Sequence, residues 1–410
     1  MQPKIPQAPA QLSMPLMLLL SIACGVAVAA LYYSHPLLPL FAQSLSVSAQ
    51  QIGALPTLTQ AGYALGLLLL VPLGDKFDRR KVIVVKGLAL TAALALTAAS
   101  HGLPLLLGAS LIVGITASMA QDIIPTAAHL APANERGRVV GLVMTGLLSG
   151  ILLSRVVSGL LGDIIGWRGV YWTAAVAVLL LTILLWRALP ATAPQSQLSA
   201  AEVYRSMWRL LKDQPAIQKA ALSQGLLNAG FSAFWTTLAL MLSQAFHLGS
   251  SAAGLFGLAG AAGALVAPAV GKLADRYGPH KLARVGALFV SVSFVVMLVP
   301  VFSLPMPAYL ALLAVLTVSF DLGVQIALIS HQTIIYNTAP AAMARGNALL
   351  LVGVFIGMTA GSYAASQLYT AFGWLGVVAF ALLTSLAALV LRLLPDSHKP
   401  KQLSLKANAE

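Results

Sequence analysis

Apolar runs of about 20 residues recur along this chain with short polar gaps between them, and each is long enough to cross a bilayer core of roughly 30 Å as a helix. Twelve can be drawn: Met14–Tyr33, Ile52–Leu73, Val82–Ser100, Leu105–Leu130, Val139–Leu161 and Val170–Leu189, then Ile217–Leu242, Ala252–Leu273, Leu282–Phe302, Tyr309–Ile335, Ala348–Tyr369 and Leu375–Leu394. Strand alternation is absent from them, and backbone groups in lipid must be satisfied within a segment, so the pattern predicts an all-α membrane protein. The longest polar stretch separates the sixth run from the seventh. It predicts residues 1–189 as one six-helix bundle, 190–216 as a linker, and 217–410 as a second bundle with a short tail. Within the linker, Ser199–Leu211 can form an interfacial amphipathic helix, with Val203, Met207, Leu210 and Leu211 opposite Arg205 and Arg209.

Composition agrees with the pattern, at 59% hydrophobic and 9% charged residues over 410 positions. Of the 24 basic residues, 22 fall in every second gap or within the few run residues that border it, the exceptions being Arg155 and Arg168. Because short cytoplasmic loops carry the excess of Lys and Arg, this asymmetry predicts that both termini are cytoplasmic. The net charge of +13 is therefore a topology signal. Nucleic-acid binding is not expected, since no clustered basic face with interleaved aromatics accompanies it. Cys24 is the only cysteine, so no disulfide or cysteine-based metal site is available within one chain. The first run lacks a small-residue cleavage pattern and reads as an uncleaved helix.

Self-similarity at long period follows. Pro72-Leu-Gly-Asp75-Lys76-Phe-Asp78-Arg79-Arg80 after the second run echoes Gly271-Lys-Leu-Ala-Asp275-Arg276-Tyr-Gly278 after the eighth, with Asp75 and Asp275 200 residues apart. Arg136-Gly137 before the fifth run echoes Arg345-Gly346 before the eleventh, and Gly166-Trp167 echoes Gly373-Trp374. These repeats predict two pseudo-symmetric bundles related by an axis along the membrane normal. The loop Gly271-x-Leu-Ala-Asp275-Arg276-x-Gly278 resembles motif A of the major facilitator superfamily, with Gly74-Asp75-Lys76-x-x-Arg79-Arg80 a looser copy. The resemblance covers residues 14 to 394. Gln60-Ala-Gly-Tyr63 and His129-Leu-Ala-Pro132 further resemble the bacterial drug and sugar efflux branch of proton antiporters.

That resemblance implies a monomeric inner-membrane transporter with small-molecule substrates, protons and the lipid bilayer as partners. It also implies a latch in which Asp75 and Arg79 meet the start of segment eleven near Arg345, while Asp275 and Arg276 meet segment five near Arg136. Two departures stand out. Ser110 occupies the arginine position of the Arg-x-x-x-Gly motif in segment four, and Arg155 stands where segment five of the antiporters has proline. Proton coupling must then rest on the chain's own ionisable residues.

Asp122, Arg155 and Asp321 are read as the charges well inside the runs, and intramembrane charge is a site candidate because it costs several kcal/mol unless paired or hydrated. Helix rise puts Asp122 and Arg155 at similar depths, about 21 and 25 Å from the basic ends of their segments, so a pair between them is expected. Asp321 stands without a cation in its half, and withdrawal from water favours the protonated carboxylate, making it the proton-coupling candidate. Gln325 and Gln332 share its helix face. His129 and His331, at the cytoplasmic ends of segments four and ten, are relay candidates, and neither has a second ligand at metal spacing.

Tyr32, Tyr33, Gln60 and Tyr63 are substrate-contact candidates in the first half. In the second, Gln224, Asn228, Phe231 and Trp235 lie on one helical stripe of two amides and two rings, suited to an amphiphile. Gly146-x-x-x-Gly150 and Gly353-x-x-x-Gly357-x-x-x-Gly361 predict close helix approach along a seam between the halves. No nucleotide-binding loop or hydrolytic constellation occurs, so neither a cofactor nor an enzymatic activity is expected. The resulting expectation is a secondary transporter working by alternating access, as a proton-linked exporter or, alternatively, an importer of nutrients, with a transport-dead sensor a third reading.

Overall fold

The structure, a computed structural model, describes residues 13–71, 76–132, 135–191, 200–258, 270, 273–274, 276–299 and 304–395. These residues are helical throughout apart from turns. The helices are α1 (Met14–Ala29), α2 (Ser34–Leu45), α3 (Ala49–Ile52), α4 (Ala54–Leu69), α5 (Arg79–Ala98), α6 (Leu103–Ala117), α7 (Met119–Leu130) and α8 (Arg136–Ala188). They continue as α9 (Ala200–Asp213), α10 (Pro215–Phe246), α11 (Ser250–Leu255), α12 (Pro279–Leu298), α13 (Met306–Thr338) and α14 (Met343–Leu393). Among the described residues eight helices are long and apolar enough to cross a membrane, or nine when the bent pair α1–α2 counts as one span. The side carrying the basic loops is called inner below, following the charge rule.

Two of these helices hold 53 and 51 residues, about twice what one crossing requires. Each is interrupted at a single glycine, Gly166 with φ 69° and Gly373 with φ 64°, a region that favours a residue without Cβ. Both glycines precede the tryptophans of the repeat noted above. Trp167 packs on Phe41 at 4.4 Å between ring centres and Trp374 on Phe234 at 5.4 Å. The turn is thus pinned by an aromatic plug in each half.

The first run does not stop at Tyr33. After a 42° bend it continues to Leu45. Pro36 has no N–H to offer the Tyr32 carbonyl one turn back, and that oxygen instead takes the His35 backbone N–H at 3.3 Å and faces His35 Nδ1 at 3.3 Å. Segment four is also broken, at Ser118. Thr116 Oγ1 bonds the Ile112 carbonyl at 2.7 Å and Ser118 Oγ the Ile115 carbonyl at 2.7 Å, the hydroxyl back-bonding that bends helices.

The glycine rows do not form a seam between the halves, contrary to expectation. Gly146 and Gly150 lie against Ser21 and Gly25 of α1, and Gly353, Gly357 and Gly361 against Ala221, Gly225 and Ala229 of α10; a Cβ on Gly150 or Gly357 would collide with the facing backbone. Both rows therefore weld helices within one half. Where the halves meet, Gly159 of α8 abuts Ser250 and Gly254 of α11, and Gly53 abuts Ser366 of α14.

Candidate functional site

Among the described residues, hydrogen bonds between the two halves gather at the outer ends of their helices. Thr57 Oγ1 and Thr236 Oγ1 both donate to Ser362 Oγ, at 3.1 and 3.0 Å, and Ser232 Oγ donates to Gln60 Oε1 at 3.0 Å. Gln50 bonds Gln367 further out. Asp163, beyond the fifth run, accepts from the backbone N–H groups of Ser250 at 3.1 Å and Ser251 at 2.8 Å and from the Ser251 hydroxyl. Those amides open α11 and have no partner within their helix, so a carboxylate from the opposite half supplies the missing acceptor and complements the helix dipole. Replacing Asp163 by alanine is expected to favour outer opening roughly tenfold or more, the worth of one charge-assisted bond. The readout is labelling of Ala253→Cys, in a Cys24→Ser background, by an impermeant maleimide added outside; labelling at the parental rate would remove Asp163 from the gate.

Beneath this closure lies Arg155, 1% exposed. Its guanidinium carbon sits 4.2 Å from the Trp235 ring centre, 4.7 Å from Tyr32 and 5.8 Å from Phe231, so rings from both halves enclose one cation. Nε and Nη2 lack hydrogen-bond partners among the described residues, as does His35 Nε2, while the Trp235 indole N–H is directed at the Asp321 carboxyl. Asp321, at the middle of α13, is the carboxylate whose charge acts on Arg155 across the interface. His35 and Pro36 complete a narrow gap over the guanidinium with Leu238, Ala239 and Ala253. The bend after α1 is what turns Tyr32 and His35 toward it.

The expected pair of Asp122 with Arg155 does not form. Asp122 is ion-paired with Lys86 of α5 at 2.6 Å, both side chains buried. By sequence Lys86 groups with the loops, lying only four residues into the third run, yet its flexible four-carbon stem carries the ammonium to a carboxylate just beyond the Ser118 break. Arg155 is left to the rings around it, Tyr32 of its own half and Phe231 and Trp235 of the other.

The remaining candidates divide. Tyr32, Phe231 and Trp235 surround Arg155, and Gln60 reaches across to Ser232. Tyr63 accepts from Gln121 Nε2 at 3.1 Å and lies 4.4 Å from the Phe355 ring. Tyr33 turns edge-on to Tyr171 at 6.4 Å, within its own half. Gln224 Oε1 meets His331 Nδ1 at 2.7 Å, and Asn228 donates back to the Gln224 carbonyl at 2.9 Å, so the amides of the stripe serve the interior of the second half while its rings serve the cage. Gln325 is half-buried one turn from Asp321, and Gln332 bonds Asn347 at 3.1 Å. His331 is buried, whereas His129 lies at the inner end of α7.

Of the latch, Asp75 and Asp275 lie outside the described residues. Arg79 is buried, Arg136 is exposed, Arg276 covers Tyr277 at 5.3 Å, and Arg345 lines a cavity beside α9. Asp78, in place of the glycine of motif A, caps α5 by accepting from the Arg80 N–H at 3.0 Å. Sequence reasoning missed Lys86, His35 and Asp163. Only Asp163 carried a signal, as a rare acid at the outer end of an apolar run.

Comparison with known proteins gives this arrangement its family. The Major Facilitator Superfamily pattern matches residues 20–343 and 221–409. The chain belongs to this superfamily. YgaY of Escherichia coli K12, named as a transporter, is 38% identical over 368 residues, spanning 90% of this chain and 92% of its own. A chloramphenicol resistance protein of Streptomyces lividans is 29% identical over 280 residues, spanning 67% of this chain and 70% of its own. The peptide transporter POT, solved in complex with sulfate, superposes with a TM-score of 0.73 at 16% identity over 93% of this chain and 94% of its own, a likeness of fold. The protein is thus a membrane transporter with several membrane-crossing helices, fitting the bacterial inner membrane, of a superfamily whose members bind small-molecule substrates.

Proposed function

We propose that the protein exports small organic, amphiphilic compounds in exchange for protons, by alternating access of a site between two six-helix bundles, residues 1–189 and 217–410, with both termini cytoplasmic. The observation that carries this is Arg155: a buried cation from one half, caged by rings of both and acted on by the charge of a carboxylate in the other. An intramembrane charge is costly and marks a pathway. The guanidinium edge presents two unpartnered N–H groups to an acceptor on the substrate, while Tyr32, Phe231 and Trp235 offer flat apolar surface to its body. Asp321, whose charge acts on the guanidinium across the interface, is where a substrate donor and a proton compete.

Competition for one oxygen is the physical condition for exchange: the proton leaves when substrate binds inside, and a proton from outside displaces the substrate. Import by symport would need both to bind together. Export is also supported by the resistance function in the name of the Streptomyces relative. Closing the inner side is assigned to the loops of Asp75 with Arg79 and Asp275 with Arg276, acting on the helix starts at Arg345 and Arg136, and the monomer suffices for this cycle.

Proteoliposomes acidified inside test the reading, with a panel of amphiphilic compounds that includes chloramphenicol. Wild-type protein oriented inside-out is expected to accumulate a substrate under this gradient. Asp321→Asn is expected to retain exchange at equal pH and to lose the gradient response. Gradient-driven accumulation undiminished in Asp321→Asn would refute the assignment of the proton to this residue.

A further inference from the structure

A cavity of about 420 Å³ opens between α9 and the start of α14, lined by Glu202, Arg205, Ser206, Arg209 and Arg345 among others. Arg205 and Arg209 are one turn apart and share a helix face, and Arg345 approaches from α14. Three guanidiniums against one carboxylate leave the lining positive. The cavity belongs to neither the Arg155 cage nor the outer gate.

Its setting is the inner membrane boundary. Tyr204 of α9 donates its hydroxyl to the Leu69 carbonyl at 3.0 Å, at the end of α4, just ahead of the basic loop. Leu210 and Leu211 pack on Ile217, Ala220 and Ile335, so α9 buries one face against the second half while it touches the first. Trp208, on the flank of α9, is 67% exposed, and Met343, two residues before Arg345, is 45% exposed. A tryptophan projecting from an amphipathic helix sits at headgroup level, where its ring meets acyl chains.

We infer that this cavity holds the phosphodiester of an anionic phospholipid of the inner leaflet, forked by Arg209 and Arg345, with the acyl chains running past Trp208 and Met343. Guanidinium forks match phosphate oxygens in pairs. The apolar rim favours a lipid over a free phosphate. Because α9 contacts both halves, an occupied site tethers the linker to α14 and stabilises the outer-closed arrangement.

The test is thermal unfolding of the full purified chain titrated with dioleoylphosphatidylglycerol, dioleoylphosphatidylcholine or inorganic phosphate. Phosphatidylglycerol is expected to raise the midpoint saturably, and the other two are not. The double variant Arg205→Gln/Arg209→Gln is expected to bind phosphatidylglycerol roughly 25-fold more weakly, at about fivefold per basic residue removed. Arg205→Lys/Arg209→Lys keeps the charge and is expected to recover binding to within a few-fold, which separates lost charge from lost folding. Glu202→Gln is expected to tighten it. Equal shifts in wild type and the glutamine variant would overturn the site, and a shift produced by inorganic phosphate alone would overturn the lipid as its occupant.

Discussion

Arg155→Leu is expected to fold and to bind substrate roughly 10- to 150-fold more weakly, the worth of one charge-assisted hydrogen bond of about 1.5–3 kcal/mol. Folding should survive because the residue's neighbours are largely rings and small residues, which close on an apolar side chain without leaving a buried donor unmet. Transport should suffer further, since Asp321 loses the cation whose charge acts on its carboxylate across the interface. Arg155→Lys keeps a point charge but not the planar fork, so an intermediate loss is expected. Ligand-dependent thermal stabilisation measures binding, and proteoliposome flux measures coupling. Substrate affinity and flux both unchanged in Arg155→Leu would show that the cage is structural.

Removing one member of the Lys86–Asp122 pair is expected to be the most damaging substitution for stability. In Lys86→Met the Asp122 carboxylate loses its ammonium at 2.6 Å in a buried site, and breaking such a pair typically costs about 3–5 kcal/mol. Replacing both, as Lys86→Met with Asp122→Leu, should restore most of the loss, because the desolvation of two ions disappears along with their attraction. Unfolding of both variants, followed in mixed micelles against wild type, forms a double-mutant cycle. A single variant as stable as wild type would mean that the pair contributes nothing. A double variant that is stable but transports poorly would instead place the pair in the working cycle.

The fold was legible because its signals are repetitive and strong. Long apolar runs, alternating basic gaps and the echoed Gly-Trp and motif A loops each report a local constraint: crossing length, membrane sidedness, or a turn that needs glycine. The Gly166 and Gly373 interruptions stand where the third echo put them. The candidate site was legible only in its residue types. Arg155, Asp321, Tyr32, Phe231 and Trp235 each stand out for being polar or aromatic in an apolar segment. Their partners do not, since depth along a helix says nothing of its rotation or of which helix lies opposite. Asp122 and Arg155 face different neighbours even though helix rise puts them at similar depths.

What the sequence by itself determined is the helical, membrane-embedded architecture, because it follows from the transfer energies of side chains into a bilayer and needs no knowledge of contacts; of the buried charges it singled out Asp122, Arg155 and Asp321 but not Lys86. Only the tertiary structure decided that Lys86 takes Asp122, that Arg155 is caged by Tyr32 of its own half and Phe231 and Trp235 of the other, that the glycine rows bind helices within a half, and that Asp163 accepts from the start of α11 across the interface. Those are pairings between residues 36 to more than 200 positions apart, such as Lys86 with Asp122 and Thr57 with Ser362. They go with the bend at Pro36, the break at Ser118 and the close glycine crossings, which fix how each helix is turned toward its neighbours.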